Sequence, residues 1–245
     1  MTPSAARLIT ALLLTALIAA PFTVNAGLSE GLAAYDKAQY ATALKELTLP
    51  AEKGNANAQY RLGKIFNLGQ GLPPDKKEAA KWFHLAAEQG LAEAQATLGY
   101  LCLVGEGVSQ NSDLALKWTR KAAAQGDATG QFNLSVMYGE PFGIQKNPAE
   151  SLKWLRKAAD QRHVEAMNTL GSLYEKGQAG VKQNPVLAYV LFDVAAEKGD
   201  SAAAAKRKAL EKNLSASDIR AGKALARKWK PGTSLAKASG NGARF

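Results

Sequence analysis

Residues 92–127 read AEAQATLGYLCLVGEGVSQNSDLALKWTRKAAAQGD, and what recurs around this stretch decides the fold. Its Lys117-Trp118 pair recurs as Lys81-Trp82 and Lys153-Trp154, at a constant spacing of 36 residues. Each tryptophan leads four residues later into an alanine pair: Ala86-Ala87, Ala122-Ala123 and Ala158-Ala159. A fourth copy ends in Ala195-Ala196, one residue later than the period demands. Upstream lie Leu62-Gly63, Leu98-Gly99, Leu134-Ser135 and Leu170-Gly171, again 36 apart. Between these blocks come glycine-containing segments: Gly69-Gln70-Gly71, Gly105-Glu106-Gly107, Phe142-Gly143 and Gly177-Gln178-Ala179-Gly180, the last carrying the extra residue. Self-similarity at such a period is the signature of a stacked repeat array.

Each copy reads as helix, glycine loop, helix. In the first copy the helices are predicted over residues 56–68 and 76–88. Asp75, Asn111, Asn147 and Asn184 stand where a side-chain oxygen can accept from the unpaired first-turn N–H groups of the second helix. Pro148 and Pro185 follow at the first helical position, where a missing N–H costs nothing. Gly90, Gly126 and Gly199 are expected to close the second helix. Arg162 stands there in the third copy and should strain or reshape the turn. Ala79, Trp82 and Ala86 share one helix face, as do Ala115, Trp118 and Ala122, and Ser151, Trp154 and Ala158. The tryptophans are therefore expected in the core. The recurrent glycine of the first helix should let a neighbouring helix approach closely, offsetting its cost of about 1 kcal/mol relative to alanine.

The pattern resembles the Sel1-like repeat family, relatives of the tetratricopeptide repeat. The match is carried by Ala94, Leu98-Gly99, Gly105-Glu106-Gly107-Val108, Trp118, Ala122-Ala123 and Gly126. The family's tyrosine is matched by Tyr138 and Tyr174, whereas Phe66 and Cys102 stand there in the first two copies, which places Cys102 in the core. The resemblance implies an all-α fold, a right-handed α–α superhelix, with repeats at 56–91, 92–127, 128–163 and 164–200. Residues 27–55 look like a degenerate first repeat containing Tyr35, Tyr40 and Ala43. The family also implies protein–protein assembly, often in bacterial envelope signalling or secretion. In related repeats the first helices line a groove. The candidate partner-binding positions are then Asn57, Arg61, Lys64, Glu93, Thr97, Tyr100, Thr129, Asn133, Val136, Glu165, Thr169 and Ser172.

The ends carry separate signals. Arg7 precedes an apolar run from Leu8 to about Ala20, and Val24-Asn25-Ala26 fits a signal-peptidase site, so residues 1–26 are expected as a cleaved export signal. The run is short for a ~30 Å hydrocarbon layer, and an uncleaved anchor is the alternative. A periplasmic or secreted location, with no transmembrane segment after cleavage, follows as the expectation.

Net charge is +10, but the positive charge belongs to one end. Residues 27–200 hold 19 basic and 19 acidic side chains, and residues 201–245 hold 11 and 2. Residues 201–231 are expected to form basic capping helices over the last apolar face. The second starts at Ser215-Ala216-Ser217-Asp218, a capping box. Its face is Ile219, Gly222, Ala226 and Trp229. Residues 232–245, rich in Gly, Ser, Ala and Lys, read as a disordered tail. Lys206, Arg207, Lys208, Arg227, Lys228 and Lys230 form a candidate basic patch for an anionic envelope surface or an acidic partner. Nucleic acid is not the expected target of an exported chain.

No catalytic, cofactor or metal set emerges. The two histidines, His84 and His163, lie on different repeats, and Cys102 is the one cysteine, which excludes an intramolecular disulfide. The Gly-x-Gly loops lack the preceding strand and the lysine of a phosphate-binding loop. Ser234-Leu235-Ala236-Lys237 fits the S-x-x-K of serine β-lactamases, but the partner motifs are missing. A cell-envelope hydrolase is thus the alternative to a non-enzymatic scaffold.

Overall fold

The structure, a computed structural model, describes residues 27–142 and 144–235. The proposed export signal and positions 236–245 of the expected tail lie outside the described residues. Among the described residues the regular structure is helical throughout, with no strand. The chain divides into two compact units, one up to Gln110 and one from Asn111.

The first unit holds α1 (residues 27–36), α2 (Tyr40–Glu52), α3 (Ala56–Leu68), α4 (Lys76–Glu88) and α5 (Ala92–Val104). The second holds α6 (Ser112–Ala124), α7 (Ala128–Gly139), α8 (Pro148–Asp160), α9 (Val164–Lys176), α10 (Pro185–Glu197), α11 (Ser201–Glu211) and α12 (Ala216–Lys228). From α2 to α5 and from α6 to α11 each helix packs on the next, and α12 packs back on α10.

The start signals act as the sequence predicts. Asp75, Asn111, Asn147 and Asn184 accept from the backbone N–H three residues on, at 2.9 to 3.1 Å. Pro148 and Pro185 occupy the first helical positions. The second helices close on left-handed turns, made by Gly90, Gly126 and Gly199 and, in the third repeat, by Arg162 at φ +61°. Gly107 shows how one repeat seats on the previous one. It is left-handed, and a Cβ there would run into the backbone carbonyl of Lys76, in the first turn of α4.

The packing assignment of the tryptophans needs correction. Trp118 is buried, but Trp82 and Trp154 are only half-buried. The rings of Trp118 and Trp154 lie under lysines, with Lys121 Nζ 4.5 Å and Lys157 Nζ 4.4 Å from the centroids. The residue after each tryptophan, and after Leu191 at the same place in the fourth repeat, does the sealing instead. Phe83, Thr119, Leu155 and Phe192 are all buried. A Cβ on Gly63 would sit 2.7 Å from the Phe83 ring, and one on Gly171 2.7 Å from that of Phe192. The glycines therefore do thin the first helix, for an aromatic partner on the second helix of the same repeat. The α-carbon's extra ~100° of rotation per residue separates these two faces of the helix.

A glutamine also recurs with the repeat. Gln59, Gln95 and Gln131 are buried at 36-residue spacing. Gln59 and Gln95 donate to Ala51 O (2.9 Å) and Ala87 O (3.0 Å), a second hydrogen bond to carbonyls that already accept from Gly54 and Gly90 N–H at the helix C-terminus. Gln131 makes the longer equivalent to Ala123 O, 3.5 Å. Gln89 and Gln161 brace two of them, donating to Gln59 Oε1 (2.7 Å) and Gln131 Oε1 (2.9 Å).

The C-terminal helices cap the second unit. Gly222 and Ala226 of α12 are buried, Ile219 packs on the same cluster, and Trp229 is 1% exposed. The expected disorder does not begin at residue 232. Gly232 N–H donates to Asp160 O at 2.7 Å, and Leu235 N–H donates to the Asp160 carboxylate at 2.9 Å. Leu235 is itself buried in the cluster. An apolar leucine within reach of the last helix pair outweighs the Gly-Ser composition around it.

Candidate binding groove

Every predicted groove residue is exposed or half-buried; none belongs to the core. In the first unit, α3 presents Asn57, Arg61 and Lys64. Arg61 lies over the Tyr35 ring at 4.9 Å, and Lys64 is 5.5 Å from it and 5.9 Å from the Tyr60 ring. On α5, Glu93, Thr97 and Tyr100 continue to Val104 along one face. Tyr100 is 47% exposed and Val104 41%, large apolar surface with water as neighbour.

The second unit concentrates these positions. A hollow of about 470 Å³ opens among α7, α8 and α9, lined by Val136, Leu152, Leu155, Thr169 and Leu173 with Ser135. It joins Val136 of the third repeat to Thr169 of the fourth. Local sequence makes the space. Leu155 stands where Phe83 and Phe192 fill the equivalent place, and Gly139 offers no side chain. Ser135 replaces the recurrent glycine, and Ser151 Oγ donates to its carbonyl at 2.7 Å.

A second hollow of about 430 Å³ adjoins the first and shares Thr169 and Leu173 with it. Its other walls are polar: Glu165, Asn168, Ser172 and Lys206. Lys206 Nζ donates to Asn168 Oδ1 (2.6 Å) and Ser172 Oγ (3.0 Å), and lies 5.4 Å from the Phe192 ring centroid. Asn168 in turn donates to Asp200 Oδ2 at 3.0 Å. The Ala203 backbone N–H, then this amide, hold the Asp200 carboxyl below its usual range. Thr129 is exposed and Asn133 half-buried, and neither lines these hollows.

The basic residues do not form one patch. Lys206 belongs to the groove. Arg207 is paired with the buried carboxylate of Asp193 at 2.8 Å, a bond that also raises the guanidinium's pKa. Beside them the Tyr189 hydroxyl donates to Glu211 at 3.2 Å, and burial pushes its pKa up to about 12. Lys208, Lys228 and Lys230 are exposed, and Arg227 lines a pocket of the cap together with Arg207. Helical spacing splits these residues among faces that a linear charge count merges.

The remaining chemistry-bearing residues have structural settings. His163 caps α9, its Nδ1 accepting from Ala166 N–H at 3.4 Å, and stacks on Phe132 at 5.0 Å. Burial lowers its pKa. Burial likewise raises the thiol pKa of Cys102, which is a free cysteine inside the first unit. Ser234 of the S-x-x-K match lies in the docked segment, and Lys237 lies outside the described residues. Among the described residues no group of His, Cys, Asp and Glu could hold a metal ion, and no helix is long and apolar enough to cross a membrane.

The sequence profile of the Sel1 repeat matches residues 56–91, 92–127, 128–163 and 164–200. The crystal structure of a Sel1 repeat protein from Oxalobacter formigenes is similar at a TM-score of 0.64 and 26% identity, covering 82% of this chain and 99% of that one. A second is c5321, a protective antigen present in uropathogenic Escherichia coli strains displaying an SLR fold. It aligns at a TM-score of 0.51 and 26% identity over 82% of this chain and 50% of its own. No curated protein matches the chain.

Proposed function

The chain belongs to the Sel1 repeat family, and from that premise we propose that it is an exported, non-enzymatic scaffold whose fourth-repeat groove binds an extended segment of another protein. The carrying observation is the pair of hollows that meet at Thr169 and Leu173. One is apolar and suits a bulky side chain. Its neighbour offers Asn168, Ser172 and Lys206 to the peptide's polar groups. A hollow of this size falls in the range of small-ligand and side-chain pockets, ~300–1,000 Å³.

Thr169 is exposed, so Thr169→Trp should block the junction of the two hollows without disturbing the core. Against a peptide selected on the wild-type protein, the variant should bind about tenfold or more weakly, a loss of ~1.4 kcal/mol. Isothermal titration checks this. Undiminished binding would remove the groove from the account.

Export rests on Arg7, the apolar run and Val24-Asn25-Ala26. The exported protein should begin at Gly27 on N-terminal sequencing. A product that retains Met1 in the membrane fraction would overturn the periplasmic or secreted reading.

A further inference from the structure

The cap of the second unit encloses another pocket, of about 350 Å³, walled almost wholly by charged side chains. Arg162, Arg207, Lys223 and Arg227 face Asp193 and Glu197, which leaves two positive charges in excess. Asp193 is already committed to Arg207. The cations come from three places in the chain: the turn before α9, α11 and α12.

Arg162 is the informative residue. It occupies the turn position that Gly90, Gly126 and Gly199 fill in the other repeats, and it holds the left-handed conformation that glycine adopts freely. The side chain is fixed from two sides. Its terminal nitrogen donates to the carbonyl of Trp229, and the guanidinium lies 5.5 Å from the Trp229 ring centroid. Its Nε is buried without a hydrogen-bond acceptor among the described residues, and so is Nε of Arg207. The carboxylate of Glu211 stands 4.0 Å from the latter, beyond hydrogen-bonding distance. Both Nε atoms are shut off from solvent, and the pocket wall itself sets four cations against two carboxylates. A ligand bearing anionic oxygen acceptors can offset that excess charge.

We infer that this pocket binds a phosphate ester. A phosphate carries about two negative charges and three acceptor oxygens, which matches the excess charge and the several directions of the donors. Guanidinium groups hold phosphate oxygens through paired N–H bonds, a geometry that favours Arg over Lys. The volume leaves room for the alcohol half of the ester beside Ala226. A soluble metabolite and a lipid headgroup share this chemistry.

The full mature protein should be titrated with glycerol phosphate, and separately with phosphatidylcholine vesicles with and without phosphatidic acid, following tryptophan fluorescence and heat. Lys223 and Arg227 are exposed, so their joint replacement by alanine should leave thermal melting unchanged. Saturable binding is expected in the wild type. Lys223→Ala with Arg227→Ala should weaken it about tenfold or more, as the loss of charge-assisted bonds implies. Lys208→Ala with Lys228→Ala removes the same charge from exposed positions outside the pocket and should leave binding intact. Binding of glycerol phosphate alone supports a soluble ester; pocket-dependent binding of the phosphatidic acid vesicles supports a headgroup. No saturable binding of either probe, or equal losses in the two double variants, would overturn the inference. Thr169→Trp should not affect this site, so the outcome is independent of the groove.

Discussion

Replacing Trp229 by alanine should destabilise the second unit by about 3–5 kcal/mol, the range for truncating a large buried aromatic. Its indole fills the end of the cluster formed by α10, α12 and Leu235, at 1% exposure. Indole Nε1–H donates to Thr233 O at 2.8 Å, and its backbone carbonyl takes the Arg162 guanidinium. Truncation thus removes apolar contact and releases the fold-back of residues 232–235 in one step. A terminal cap shields the last apolar face of a repeat array, and stability there is a sum of unit and neighbour terms. Hydrogen exchange should accordingly rise first in α12 and then in α10. Urea melts within about 1 kcal/mol of wild type, below the usual range for such a truncation, would show that the cap is not integral.

Trp118→Ala should cost a similar ~3–5 kcal/mol, whereas Trp154→Ala should cost clearly less. The two residues occupy the same repeat position and differ in burial. Trp118 is 7% exposed beside buried Ala115 and Ala122. Trp154 is half-buried, its Nε1–H donating to Glu150 at 3.0 Å and its ring covered by Lys157. Partial burial surrenders less apolar area on truncation, at roughly 25 cal/mol per Å². Urea denaturation of the two variants side by side checks the order. Equal losses would mean that the repeat position, not its burial, sets the energy.

The repeat architecture was legible because its signals are local and periodic. Asp75, Asn111, Asn147 and Asn184 cap helices by reaching three residues along the chain, so spacing alone reveals them. The same holds for the glycine turns. What faced what was less legible. Trp82 and Phe83 are adjacent in sequence, and only the pairing of α3 with α4 decides which of them meets Gly63. Gln59, Gln95 and Gln131 recur as plainly as the tryptophans. Buried glutamine reads as surface until the carbonyl it bonds is known.

The groove shows the same division. Helical period placed Val136, Thr169 and Ser172 outside the core, but the hollow beside them depends on Leu155 being smaller than Phe83 and Phe192 and on Gly139 carrying no side chain. That departure from the repeat is visible in the sequence once the sealing position is known. Lys206 was assigned to a basic patch by charge counting. It lies in the groove because its helix turns it toward Asn168 and Ser172, while Arg207, one residue on, faces Asp193. Leu235 was lost in a segment of Gly, Ser and Ala, where composition outvoted one buried side chain.

The most direct test of the scaffold reading is photo-crosslinking in the producing cell, with a photoreactive phenylalanine at position 165, exposed at the edge of the second hollow, and, as a control, at position 84 on the exposed face of α4. A discrete partner adduct is expected from position 165 that is absent from position 84 and is competed away by the selected peptide. Adducts of equal yield at both positions, or none at position 165, would contradict the scaffold reading.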